Sequence, residues 1–150
     1  MNPSDDLDKA HHWFAVECNN LAWDLFERPS RTPDEDAQML HAAHASCFHW
    51  MHVGNALNEQ RAMCLLTFAH SALGSCALAL RYAVRCLELS QLDGLETTPF
   101  DLAAAYAGNA RAYACSGDAK KAKEFRALAM SAAKDISDEE DRTHFLAILM

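Results

Sequence analysis

Glycine and proline are scarce in this chain, five and four among 150 residues. With so few breakers, little can interrupt a helix, and the abundant alanine loses no side-chain entropy in one. Helix is therefore predicted throughout, and no stretch reads as a strand. No apolar run approaches the ~18 residues of a membrane-spanning helix. The opening Met1-Asn2-Pro3-Ser4-Asp5-Asp6 is acidic, whereas a signal peptide needs a basic start and an apolar core. A soluble, cytoplasmic chain is the expectation. Motifs are missing too. There is no GxSxG elbow, GxGxxG fingerprint, P-loop, HExxH, ExxH or Cys/His zinc spacing. Without them no catalytic residue, metal or cofactor is assigned, and the chain is read as non-catalytic.

Cysteine is present but unpatterned. Cys18, Cys47, Cys64, Cys76, Cys86 and Cys115 are dispersed with no CxxC pair. All six fall in apolar helical patterns, where cysteine behaves as a small hydrophobe, and no disulfide framework is expected. Formal charge is −8, concentrated early: residues 1–54 carry nine acids against three bases. An acidic surface repels phosphate backbones, so nucleic acid is not an expected partner. The one basic cluster, Lys120, Lys121, Lys123 and Arg126, reads as a solvated helix face.

What the chain does have is helix pairs. Leu102, Tyr106, Ala110 and Tyr113 recur at helical spacing before Ser116-Gly117-Asp118, and Ala122, Phe125, Ala129 and Ala132 recur after it. Leu66, His70 and Leu73 lead to Gly74 in the same way, with Ala79, Ala83 and Cys86 following. These small-residue hairpins resemble the tetratricopeptide (TPR) family, whose unit is a helix pair of about 34 residues. The two turn glycines stand further apart than one unit, with Ser90 to Thr98 holding the excess, and the usual proline after the second arm is missing. The resemblance covers roughly residues 55–136. With the second helix, Trp50 and Val53-Gly54 included, it extends to short bacterial TPR-like proteins over nearly the whole chain. It implies an all-α, right-handed stack of antiparallel helix hairpins with seven helices in a single domain of residues 1–150. The hairpins span about 5–53, 56–90 and 99–135, and a capping helix covers 138–150.

Element boundaries come from capping chemistry. The first helix is predicted over Asp5 to Glu27, capped by Ser4, with Leu7, Ala10, Phe14, Cys18, Leu21 and Leu25 as its core stripe. Thr32-Pro33-Asp34-Glu35 reads as a capping box opening a second helix that stops at Gly54. Leu57 to Leu73 and a helix capped by Ser75 follow, and Asp93-Gly94 and Thr97-Thr98-Pro99 mark a long linker. Ser137-Asp138-Glu139-Glu140 is a further capping box, opening a helix that ends Phe145-Leu146-Ala147-Ile148-Leu149-Met150. That apolar end is expected to cap the stack; a homodimer contact through Phe145 and Leu149 is the competing arrangement.

Two sets of residues are candidates for function. The second helix carries His41, His44, His49 and His52. At about 1.5 Å rise per residue, His44 and His52 differ in height by roughly 12 Å, so one ion cannot collect all four. Pairs at i, i+3 would need partners from elsewhere, such as Glu17, Asp24, His11 or His12. The structural reading is hydrogen bonding; the alternative is a metal-dependent or pH-responsive protein. The other set follows from the resemblance, which implies a groove lined by the first helix of each hairpin. That face would show Arg61, Cys64, Phe68 and Ser71, then Ala104, Ala107, Arg111 and Ala114. The family's peptide clamp uses lysines and asparagines where Cys64 and Ala107 stand, so that clamp is not inherited. Arg61 and Arg111 are expected to face one cavity with no acid nearby, so the groove would hold an acidic or extended peptide. A non-catalytic protein- or peptide-binding module is the resulting expectation.

Overall fold

The computed structural model describes residues 3–149, with side chains for residues 4–148. Among the described residues seven helices account for the regular structure: α1 Pro3–Phe26, α2 Pro33–Val53, α3 Ala56–Ala72, α4 Cys76–Ser90, α5 Pro99–Cys115, α6 Ala119–Ala133 and α7 Glu139–Leu149. There is no strand among the described residues, and no helix is long and apolar enough to cross a membrane.

Most boundaries follow from local chemistry. Thr32 and Asn55 each close a reciprocal capping box, with Glu35 and Asn58 respectively, which satisfies donors that every helix start leaves open. Thr98, expected only as linker, does the same with Asp101. Three expected caps differ. Helix α1 already includes Ser4. Ser75 sits at the N-cap position without a side-chain bond. Asp138 alone accepts from Asp141 N at 2.8 Å to start α7.

Consecutive helices pack together, and the odd helices also pack on one another, α1 on α3, α3 on α5 and α5 on α7. Among the described residues each even helix packs mainly on its own partner and the next odd helix, with one side-chain contact between even helices, His44 of α2 edge-on to Tyr82 of α4. The odd helices thus form one layer and α2, α4 and α6 the other. Small residues permit the close approach. A Cβ added at Gly108 of α5 would meet Thr67 Cγ2 at 3.2 Å and Phe68 Cε2 at 3.4 Å, both on α3. The turn at Gly117 has a different need: its φ is +84°, open to glycine and costly for other residues. Gly117→Val is expected to cost about 1–2 kcal/mol through backbone strain, since nothing lies within 4 Å of the added Cβ. A urea midpoint unchanged by the substitution would contradict this origin.

The buried face of α1 differs from the expected stripe. Leu25 is buried as expected, but Leu7, Phe14 and Leu21 are exposed, whereas Ala15 and Ala22 are buried. The reason is steric. Helix α2 approaches along small residues, Ala42, Ala43 and Ser46, and the Ser46 hydroxyl donates to Ala15 O at 2.8 Å.

The cysteines also depart from expectation. Cys76 and Cys115 form a disulfide, their Cα atoms 5.3 Å apart. They begin α4 and end α5, beside the Gly74 and Gly117 turns, instead of lying on packed stripes. Cys64 and Cys86 do behave as core residues.

Candidate functional site

Between α1 and α7 lies a trough whose floor is α3 and α5. Three cavities of about 370, 340 and 470 Å³ follow one another along it. The first two share Trp23, Phe100 and Ala104, and the last two share Glu27, His144 and Ile148. Helix α1 supplies one wall because its bulky residues Trp23 and Phe26 project over Phe68 of α3, with ring centroids 5.3 Å from it in both cases. Helix α7 supplies the other because Phe145 and Ile148 anchor it in the core. His144 Nε2 meets Glu27 Oε1 at 2.8 Å, a solvent-exposed pair that spans the trough from wall to wall.

The expected groove residues separate into floor and core. Cys64, Phe68 and Ala107 are buried. Hydrogen bonding to Cys86, then burial, pushes the Cys64 thiol well up, so it is no nucleophile. Ser71 donates to Thr67 O and lines none of the three cavities.

The two arginines do not share a cavity, contrary to expectation. Arg61 lines the first and Arg111 the third. Nor is Arg61 free of acids: its Nε and Nη2 donate to the two Asp101 carboxylate oxygens at 2.8 and 3.0 Å. Asp101 was missed because Thr98 was read only as linker, yet Thr98-x-x-Asp101 is itself a capping signal. Arg111 is different. Its guanidinium carbon lies 5.1 Å from the Phe26 ring centre and 5.3 Å from that of Phe68, and its buried Nε has no hydrogen-bond partner. Burial lowers its pKa, though a guanidinium stays charged. The neighbouring cation, Arg31, is engaged by Asp36 and by the carbonyls of Leu25 and Phe26.

The histidines of α2 divide between two neighbourhoods. His44 Nε2 lies 3.0 Å from His70 Nε2, and His70 stacks on Tyr82. His49 Nδ1 lies 2.8 Å from His11 Nδ1 of α1, while His52 stacks on His11 with centroids 4.2 Å apart. His41 joins neither ring contact and acts on His44 only through charge. Among the described residues, no group of three or more histidines, cysteines and acids is arranged to hold a metal ion.

His70 is buried and its Nδ1 has no partner. Desolvation, then the His44 charge, lowers its pKa. The folded state therefore resists a proton that the unfolded chain accepts near pH 6.5. This contribution is full above that pH and is lost as pH falls through the lower folded value. Thermal melts from about pH 7.5 to 5 should thus show stability falling, and falling less in His70→Phe, which keeps the Tyr82 stack. Parallel curves would show that other groups set the acid limb.

No protein-family model matches the chain, and the comparisons with curated proteins and with solved structures found no match either.

Proposed function

We propose that this chain is a TPR-like, right-handed stack of helix hairpins whose trough binds a protein or peptide segment, without catalysis of its own. The observation that carries the reading is the run of three cavities between α1 and α7. Trp23 and Phe100 offer apolar contact, and Asn19, Gln60 and the Arg61–Asp101 pair offer donors and acceptors beside them. Such mixed surfaces, with an aromatic anchor and polar groups to orient backbone, are what peptide grooves use. Arg111 favours an acidic segment at the far end, because a half-buried cation without a carboxylate gains from one.

Selection of random displayed peptides against the purified protein tests the reading, followed by titration of the selected peptides. Binding should be lost in Ala104→Trp, which fills the floor shared by two cavities, and in Asn20→Trp on the exposed rim. Arg111→Gln should remove any preference for acidic residues while leaving the fold intact by circular dichroism. Failure to select any peptide, or selected peptides indifferent to both tryptophans, would overturn the assignment.

A further inference from the structure

Away from the trough, the outer face of the α1–α2 hairpin leaves large apolar side chains in solvent. Leu7, Phe14 and Leu21 are spaced by sevens on α1, so they line one edge of it, drifting only about 20° at each step. Phe48 of α2 continues the strip. Phe14 stacks on His49 and Phe48 lies edge-on to the same ring, at centroid distances of 5.3 and 5.5 Å. Trp13 sits against Phe14 at 4.9 Å. These side chains are between 37% and 58% exposed. Acids border the strip. Glu17 and Asp24 follow Phe14 and Leu21 by one helical turn, which places each beside its apolar neighbour on the helix surface. Both are exposed, and neither is engaged in an ion pair or hydrogen bond among the described residues.

We propose that this strip is a docking face for a basic amphipathic helix of a partner protein. Spacing supplies the first argument: apolar groups at heptad intervals match the apolar ridge of a second helix laid along α1. Charge supplies the next. Lysines or arginines flanking that ridge meet Glu17 and Asp24, two carboxylates with no cation of their own. In a pairing of two copies the strip would meet itself and offer those acids no lysine or arginine in return. Area points the same way. The apolar side chains leave on the order of 500 Å² in solvent, high for a monomer but short of the ~800 Å² that each partner buries in a standard interface. That is the footprint of one helix and not of a whole subunit. The trough, where the Arg111 Nε has no partner, selects the opposite charge, so the two surfaces do not compete for one segment.

The test uses two labelled helical peptides of about 18 residues, or five turns, with the same leucine ridge flanked by lysine in one and by glutamate in the other. Binding to the purified protein is read by fluorescence anisotropy in about 0.15 M salt, and each protein variant is checked by circular dichroism. The lysine peptide should bind saturably, about tenfold or more tighter than the glutamate peptide. Phe14→Gln and Leu21→Gln, both at exposed positions, should each weaken it about tenfold. Glu17→Lys combined with Asp24→Lys should reverse the preference. Ala104→Trp, in the trough, should leave the lysine peptide bound as in the parent. Lack of saturable binding, binding that survives both glutamine substitutions, or its loss in Ala104→Trp would overturn the proposal. So would a parent dimer that Leu21→Gln converts to a monomer, which would assign the strip to a second copy.

Discussion

Replacing Phe145 with alanine is expected to destabilise the protein by about 3–5 kcal/mol, read as a lower urea midpoint. The side chain is fully buried within its own chain. It meets Phe100 edge-to-face at 5.8 Å and joins a cluster with Phe68, Ile136 and Ile148. Removing it leaves a cavity that rigid helices on either side cannot collapse into. Helix α7 has only 11 residues, too short to persist alone, so its order depends on this burial. Loss of Phe145 should therefore loosen α7 as a unit and with it one wall of the trough. The burial is intramolecular, as the expected cap requires, and takes Phe145 out of the competing dimer contact; Met150 and the Leu149 side chain lie outside the described residues. Sedimentation should give the same mass for parent and variant. A variant that is stable but changes from dimer to monomer would overturn the capping role.

How much of this was legible depended on the range of the interaction. Thr32 with Glu35 announced α2 because a capping box is written within four residues. Gly117 announced its turn because positive φ is a property of one residue. The stripe of α1 was misread for the opposite reason. Its periodicity fits Leu7, Phe14 and Leu21 as well as Ala15 and Ala22, and only the approach of α2 decides which face is covered. Pairing of Cys76 with Cys115, 39 residues apart, needs two turns to lie side by side, which no local pattern encodes.

The site was legible in the same partial way. Helical spacing placed Arg61 and Arg111 on the same face of α3 and α5, Arg61 level with Ala104 and Arg111 level with Phe68, and the two line different cavities of the trough. Their chemistry was set by residues from elsewhere. Asp101 neutralises Arg61, while Phe26, reaching over from α1, covers Arg111 without neutralising it. The four histidines of α2 looked like one cluster in sequence, but 100° per residue turns His44 toward His70 and His49 toward His11.

Asp101→Ala is expected to cost about 2–3 kcal/mol, more than an ordinary surface ion pair, because the carboxylate serves two structures at once. It accepts from Thr98 N and the Thr98 hydroxyl at 3.0 and 2.9 Å, closing the α5 capping box. It also takes the Arg61 fork from α3, so one side chain fixes both a helix start and a helix–helix contact. Asp101 is buried whereas Arg61 is about half exposed, so the freed guanidinium regains water and the cost stays below that of a fully buried pair. Desolvation alone would raise the Asp101 pKa, but the Arg61 and Thr98 hydrogen bonds outweigh it and hold the group below the usual carboxylate range. A depressed carboxylate stabilises the fold fully above its unfolded pKa of about 3.9, and that contribution is lost as pH falls through the folded value. Urea unfolding at pH 7 and along the acid limb should therefore show parent and variant far apart at pH 7 and converging below about pH 4. Arg61→Met should cost less, since it leaves the capping box intact, and the double variant should cost less than the two single losses added. Curves that stay parallel to the lowest pH, or costs that simply add, would mean that the carboxylate acts through the cap alone and that Arg61 contributes no coupling.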